Sequence, residues 1–213
     1  TGGFIGSFGL LVFERGRLTD LKIEDIYTAD GQLRGHVEPP APIKKYLKEH
    51  WFLRDANFDP DFPKTAKQAE WFLEKELGIK VDGVLAFDLA LAQNLLSSLG
   101  QVTLPDYQET ITAENLFEKA EKYSEIDFFP GSTQKRDFLG ALSRRILERL
   151  TTEKDLPCLS LVEAMGKSLT EKHFLLYFHH PGVQRLVEEL GGGGEIKSPP
   201  TQDFLMINEA NLG

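Results

Sequence analysis

The sequence predicts an α/β fold, a single domain with a mixed central β-sheet flanked by helices on both faces. Three observations carry this. Strand-like and helix-like segments alternate along the chain with one clear hairpin and no internal repeat. The runs "VLAF" and "FLLYF" are apolar on both faces, as strands covered by helices on either side must be. The 213 residues, 41% hydrophobic and 27% charged, suffice for a substantial core, so residues 1–213 are read as one domain. Opening at Thr1 in mid-strand and closing on "NEANLG", the chain is read as a fragment of a longer one.

The opening "TGGFIGSFGLLVFE" holds four glycines in its first nine residues, which raises the question of a phosphate loop. Both phosphate-loop patterns fail. Ser7 and Phe8 follow Gly6 where a P-loop needs lysine and a hydroxyl residue, and Gly2, Gly3, Gly6 and Gly9 lack the dinucleotide spacing. Read with period two, the stretch is instead a strand buried on both faces, with glycines where another backbone or a ligand comes close. Gly16 in "ERGR" suits a hairpin turn, and "LTDLKIEDIYTA" is the return strand. A turn-rich loop, "DGQLRGHVEPPAP", leads to a short helix opened by Pro42, and "WFLRDANFDPDFP" is a long polar and aromatic loop. Ala66, Ala69, Phe72, Leu73 and Leu77 then recur at helical spacing, with Gly78 as C-cap.

"KVDGVLAFD" reads as a buried strand, Asp88 as the N-cap of the helix "LALAQNLLSSLG", and "QVTLP" as another strand. Thr112 caps the next helix, and the loop "SEIDFFPGS" precedes a long amphipathic one with Phe138, Leu142, Ile146 and Leu150 on a stripe. A helix near 160–166, the strand "HFLLYFHH", the helix "PGVQRLVEEL", a flexible glycine turn at 191–194 and a final strand "DFLMIN" complete the chain. The segments near 4–14, 18–28, 81–87 and 173–178 are expected to share the central sheet.

A net charge of −9 argues against nucleic acid as partner, because phosphate backbones select a basic footprint. The single cysteine, Cys158, excludes an internal disulfide and reads as a buried small residue in its apolar setting. The histidines are scattered without zinc-type spacing, and no nucleophile elbow occurs.

Ligand-binding candidates cluster in three places. Asp55, Asn57, Asp59 and Asp61 imitate the first ligands of an EF-hand, but Pro60 and Ala66 replace its glycine and glutamate. Two readings stay open for that run: a looser magnesium or calcium site using Asp55 and Asp59, or a turn held by Asx hydrogen bonds that caps the next helix. Arg54, between aromatics and acids, is either a phosphate ligand or the ion-pair partner of a nearby carboxylate. Gln134, Lys135 and Arg136 fall in the first turn of a helix, where exposed amides favour an anion. Asp25, Asp30, Arg34 and His36 follow the second strand, where sheet-end sites form. We expect Arg54 and Arg136 to approach one anion-accepting cleft together with Asp25 or Asp30.

The segments "TGGFIGSFGLLVFERGRLTDLKIEDIYTADGQL", "HVEPPAPIKKYL", "WFLRDANFDPDFP", "FFPGSTQKRDFLGAL" and "NEANLG" resemble the bacterial family known as domain of unknown function 4012, over essentially the whole chain. That family carries a membrane segment upstream. The resemblance therefore implies an extracytoplasmic domain, tethered to the membrane only through residues outside this fragment. More distantly, "KVDGVLAFDLALAQNLLSSLGQVTLP" is similar to the LytR-CpsA-Psr phosphotransferases, which attach glycans from polyprenyl-pyrophosphate carriers to the cell wall. This second resemblance implies a sheet with a tunnel for an isoprenoid chain, a polyprenyl-pyrophosphate or glycan ligand, and Mg2+ as cofactor. Departures accompany it: the first strand offers Thr1, Gly2 and Gly3 with no acid, only Asp25 remains of the second-strand motif, and Gln134 stands where an arginine is expected. Two functions follow. One is a phosphotransferase-like domain using Arg54, Arg136 and Asp25, with Asp30, Arg34, Asp55, Asn57, Gln134 and Lys135 around the ligand. The other is a non-catalytic module that binds an envelope polymer or a partner protein.

Overall fold

Strand β1 (Ser7–Glu14) and strand β2 (Arg17–Asp25) form an antiparallel hairpin whose register runs from Ser7 opposite Asp25 to Glu14 opposite Arg17. The two-residue turn takes positive φ at both Arg15 (50°) and Gly16 (77°), the backbone twist that suits the flanking strands. The structure, a computed structural model, describes residues 3–46, 49–125, 134–199, 201 and 203–207. β2 stops at Asp25, earlier than the sequence suggests, because the Asp25 carboxylate accepts from the Tyr27 N–H (2.8 Å) and starts helix α1 (Ile26–Asp30). Asp30 therefore ends a helical turn, not a strand. Helix α2 (Ala41–Tyr46) and a 3-10 turn (Leu53–Asp55) follow. Helix α3 (Phe62–Leu77) is capped by Asp61, carries a proline in its first turn, and ends at Gly78 with φ 70°. Strand β3 spans Gly83–Phe87.

Helix α4 (Leu89–Leu99) begins where Asp88 accepts from the N–H groups of Ala90 and Leu91, and stops at Gly100. Strands β4 (Val102–Leu104) and β5 (Glu109–Ile111) pair antiparallel. Thr112 Oγ1 then accepts from the Asn115 N–H ahead of helix α5 (Leu116–Glu125). Helix α6 (Gln134–Thr152) and helix α7 (Cys158–Thr170) complete this stretch. Strand β6 (Phe174–Phe178) pairs with β3, and His180 caps helix α8 (Pro181–Glu189).

The α/β class holds. In place of one mixed sheet, however, the described residues carry three two-stranded sheets: β1 with β2, β3 with β6, and β4 with β5. The opening hairpin pairs only with itself. Its first half, Phe8 and Leu10, packs on the cluster of Ile26, Ala29, Leu53, Ala56, Phe72 and Leu73, while Val12 and Phe13 project into solvent. A ribbon of two strands has no covering layer on its far face, so β1 is not buried on both sides. A Cβ at Gly3 or Gly6 would meet nothing within 4 Å, so these glycines mark no close approach in the described structure.

Three further expectations change. Cys158 is exposed, because the buried stripe of α7 begins a turn later at Leu161. The glycine turn after α8 is docked: Gly194 C=O accepts from the Phe62 N–H (3.1 Å), and a Cβ on Gly194 would come within 2.8 Å of Phe62 Cβ. Residues 203–207 of "DFLMIN" form no strand, and Asn208 lies outside the described residues.

The chain divides into two compact units, Thr1–Leu85 with Leu175–Gly213, and Ala86–Phe174.

Candidate functional site

Trp51 donates its backbone N–H to the Val37 C=O (3.0 Å), and the chain then tightens into the 3-10 turn over Leu53–Asp55. That turn carries Arg54 inward against the end of α1. Arg54 Nη1 donates to Asp30 Oδ2 at 2.6 Å, and the Arg54 N–H reaches Asp30 Oδ1 at 3.4 Å. Both residues are buried, with relative exposures of 8% and 5%. Asp55 Oδ2 lies 3.6 Å from Arg54 Nε. The guanidinium packs over the ring of Phe52 at 4.2 Å and near that of Tyr27 at 5.5 Å. Of the readings the sequence left open for Arg54, the ion pair is the one formed.

A third buried charge completes the centre. Glu76, in the last turn of α3 and 6% exposed, accepts from the Leu53 N–H through Oε1 at 3.3 Å. Its Oε2 makes no hydrogen bond, and neither does Arg54 Nε. Burial pushes the Glu76 carboxyl up to about 7, the negative charge of Asp30 adds to the rise, and the Leu53 N–H and Arg54 oppose it. Burial likewise raises Asp30 above the usual carboxylate value, against the hydrogen bond and charge of Arg54.

Above this centre sits an exposed aromatic pair. Phe4 and Tyr27 have ring centroids 6.1 Å apart and relative exposures of 49% and 60%. The backbone beneath them is held: Ile5 donates its N–H to the Arg54 C=O (2.9 Å), and Asp25 holds the Tyr27 N–H. The arrangement is a fixed aromatic surface over a buried ion pair.

The other predicted residues are placed as follows. Asp25 is a helix cap, and Arg34 is exposed in the loop after α1. Asn57 Nδ2 donates to the Gly3 C=O at 3.3 Å. Asp59 Oδ1 accepts from the Asp61 N–H at 2.9 Å, while Asp61 caps α3. "DANFDPD" is thus an Asx turn that runs into a cap, with Asp55 turned to Arg54 and Asp59 to its own loop. Among the described residues, no group of three or more His, Cys, Asp or Glu is placed to hold a metal ion. Gln134, Lys135 and Arg136 occupy the first turn of α6, and their side chains lie outside the described residues. Of the expected convergence, Arg54 and Asp30 meet; Arg136 falls outside what is described.

Glu76, Phe4 and Tyr27 are site residues that sequence reasoning passed over. Glu76 carried a signal: it continues the Ala69, Phe72, Leu73 spacing that faces the core, so a carboxylate stands at an apolar position. Phe4 and Tyr27 carried none, since solvent exposure of a single aromatic is not written in its neighbours.

The family described as protein of unknown function (DUF4012) matches residues 1–123. The chain belongs to this family. No curated protein and no solved structure matches the chain. The DUF4012 match contains the whole charge centre, from Asp30 through Arg54 to Glu76, with Phe4 and Tyr27 above it. No helix among the described residues is long and apolar enough to cross a membrane.

Proposed function

We propose that this DUF4012 chain is a non-catalytic, glycan-binding module of the bacterial cell envelope, held extracytoplasmically by a membrane segment outside this fragment. The observation that carries the non-catalytic part is the commitment of Arg54 to Asp30 at 2.6 Å in a buried setting. A phosphotransferase arginine must turn its donors toward developing phosphate charge. Turning this one outward would strand Asp30, at a cost of about 3–5 kcal/mol. The departures from the LytR-CpsA-Psr pattern point the same way: no acid stands among Thr1–Gly3, and Gln134 replaces an arginine. The exposed rings of Phe4 and Tyr27 offer flat apolar faces of the kind that stack on a sugar ring. The envelope location and the tether rest on family resemblance.

The test is a titration of soluble cell-wall glycan fragments, beside an assay for cleavage of a polyprenyl-pyrophosphate-linked glycan with Mg2+. Glycan binding that falls roughly tenfold or more in Tyr27→Ala, with no pyrophosphate cleavage, is the expected result. Magnesium-dependent turnover abolished by Arg136→Ala would overturn the proposal in favour of a phosphotransferase. Failure of every glycan fragment to bind would overturn the polymer as ligand.

A further inference from the structure

We propose that His36 and His50 form a binding site for a tetragonal divalent transition ion, Cu2+ or Ni2+, which clips the two ends of the α2 loop together. The two imidazoles face each other nitrogen to nitrogen, with Nδ1 atoms 2.9 Å apart, ring centroids 4.4 Å apart and planes at 87°. His36 Nε2 meets Glu38 Oε2 at 3.0 Å, and Lys44 is bonded to the other oxygen of the same carboxylate. A carboxylate held by an ammonium accepts, so the proton of neutral His36 resides on Nε2 and its Nδ1 presents a bare lone pair. His50 Nδ1 then supplies the hydrogen between the rings.

A metal ion can take that hydrogen's place. The His50 proton passes from Nδ1 through solvent to Nε2, and no net charge leaves the neutral pair. Two nitrogens bound cis at about 2.0–2.1 Å and about 90° stand about 2.9 Å apart, whereas a tetrahedral ion requires about 3.3 Å. The observed spacing matches the former. Imidazole donors and square geometry select Cu2+ and Ni2+ over Mg2+ and Ca2+, with water filling the remaining positions. Glu38 plays the part of the outer carboxylate that orients a ligating histidine and raises its basicity, and Lys44 holds Glu38. The site is also organised by the backbone, because the Trp51 N–H to Val37 C=O bond fastens the residues next to each histidine. It is separate from the Arg54–Asp30 centre, and the site stands or falls independently of the glycan reading.

Cu2+ titrated into the intact chain is expected to bind one equivalent with micromolar affinity and to show an electron-paramagnetic signal split by two nitrogens. Ni2+ is expected to compete for it, and Mg2+ is not. His36→Ala and His50→Ala each should weaken binding more than tenfold and remove one nitrogen from the splitting. Glu38→Gln should weaken it roughly 10–100-fold with both nitrogens retained, which a merely structural Glu38 would not do. Should an alanine variant fail to fold by circular dichroism, His36→Asn and His50→Asn read the same loss. Equal Cu2+ uptake and unchanged splitting in the double variant would overturn the proposal, as would the absence of a two-nitrogen signal in the wild type.

Discussion

The two compact units of this chain solve the problem of a core in opposite ways. In Ala86–Phe174 the interior is apolar: Leu91, Leu95, Leu96 and Leu99 of α4 meet Val102, Leu104, Ile111, Leu116, Phe138, Leu142 and Ile146. Tyr107 and Tyr123 pack on the Phe138 ring, at 5.5 and 4.7 Å between centroids. Its acid with the largest shift, Glu109, is bound by Lys119 (2.7 Å) and Lys122 (3.0 Å), whose hydrogen bonds pull its carboxyl down to about 2. The other unit places Arg54, Asp30 and Glu76 inside. A buried ion pair adds little net stability but is costly to break, so it serves to fix geometry. Here it fixes the turn that carries the Phe4–Tyr27 surface. The apolar unit holds itself together; the charged unit holds a surface in place.

The comparison breaks most sharply at Asp30. Asp30→Ala leaves a buried guanidinium without its partner and should cost about 3–5 kcal/mol. Both tryptophans, Trp51 and Trp71, lie in the charged unit, so urea unfolding followed by indole fluorescence reads that unit selectively. A loss below about 1 kcal/mol would mean that Arg54 finds solvent, and the centre would not be rigid. The apolar unit has its counterpart in Leu96→Ala, a fully buried side chain of α4 whose truncation should cost about 2–5 kcal/mol. Amide exchange in α4 and α6 measures it, and the loss should be the same at pH 5 and pH 7.

A pH series sharpens the contrast. Glu76 has a folded-state value near 7 against 4.5 ordinarily, so between those limits the folded chain keeps a proton that the unfolded chain releases. Stability of the charged unit should therefore fall as pH rises from about 4.5 to 7 and level off above, by at most about 3 kcal/mol. Glu76→Gln should flatten that limb; an unchanged slope would place its origin elsewhere. The smallest effect belongs to Glu109, whose carboxyl is depressed. Its contribution is complete above about 4.5 and is lost as pH falls toward 2, so Glu109→Gln should abolish an acid limb visible only in amide exchange of β5 and α5. A Glu109→Gln effect at pH 6 would contradict the assignment.

Local chemistry was legible from the residues alone. The turn at Gly16, the caps at Asp61 and Asp88, the stops at Gly78 and Gly100, and the Phe138–Leu142–Ile146 stripe all depend on neighbours within a turn or two of chain. So does the Asx turn at Asp59. Each is a short-range bargain between a side chain and backbone groups close in sequence, and each was readable there. Partner choice was not. That β1 pairs only with β2, that Arg54 turns inward to Asp30, that Glu76 is sealed against Leu53, that Cys158 faces solvent and that Gly194 docks on Phe62 are decided by residues far away along the chain. Strand pairing and burial are competitions among distant surfaces, and a run such as "FLLYF" is equally apolar whichever strand lies beside it. The sequence by itself therefore determined the class of fold, the element boundaries set by caps and turns, and the DUF4012 family. Only the tertiary structure decided which charges share the interior, because burial and ion pairing are properties of the assembled chain and of no single segment.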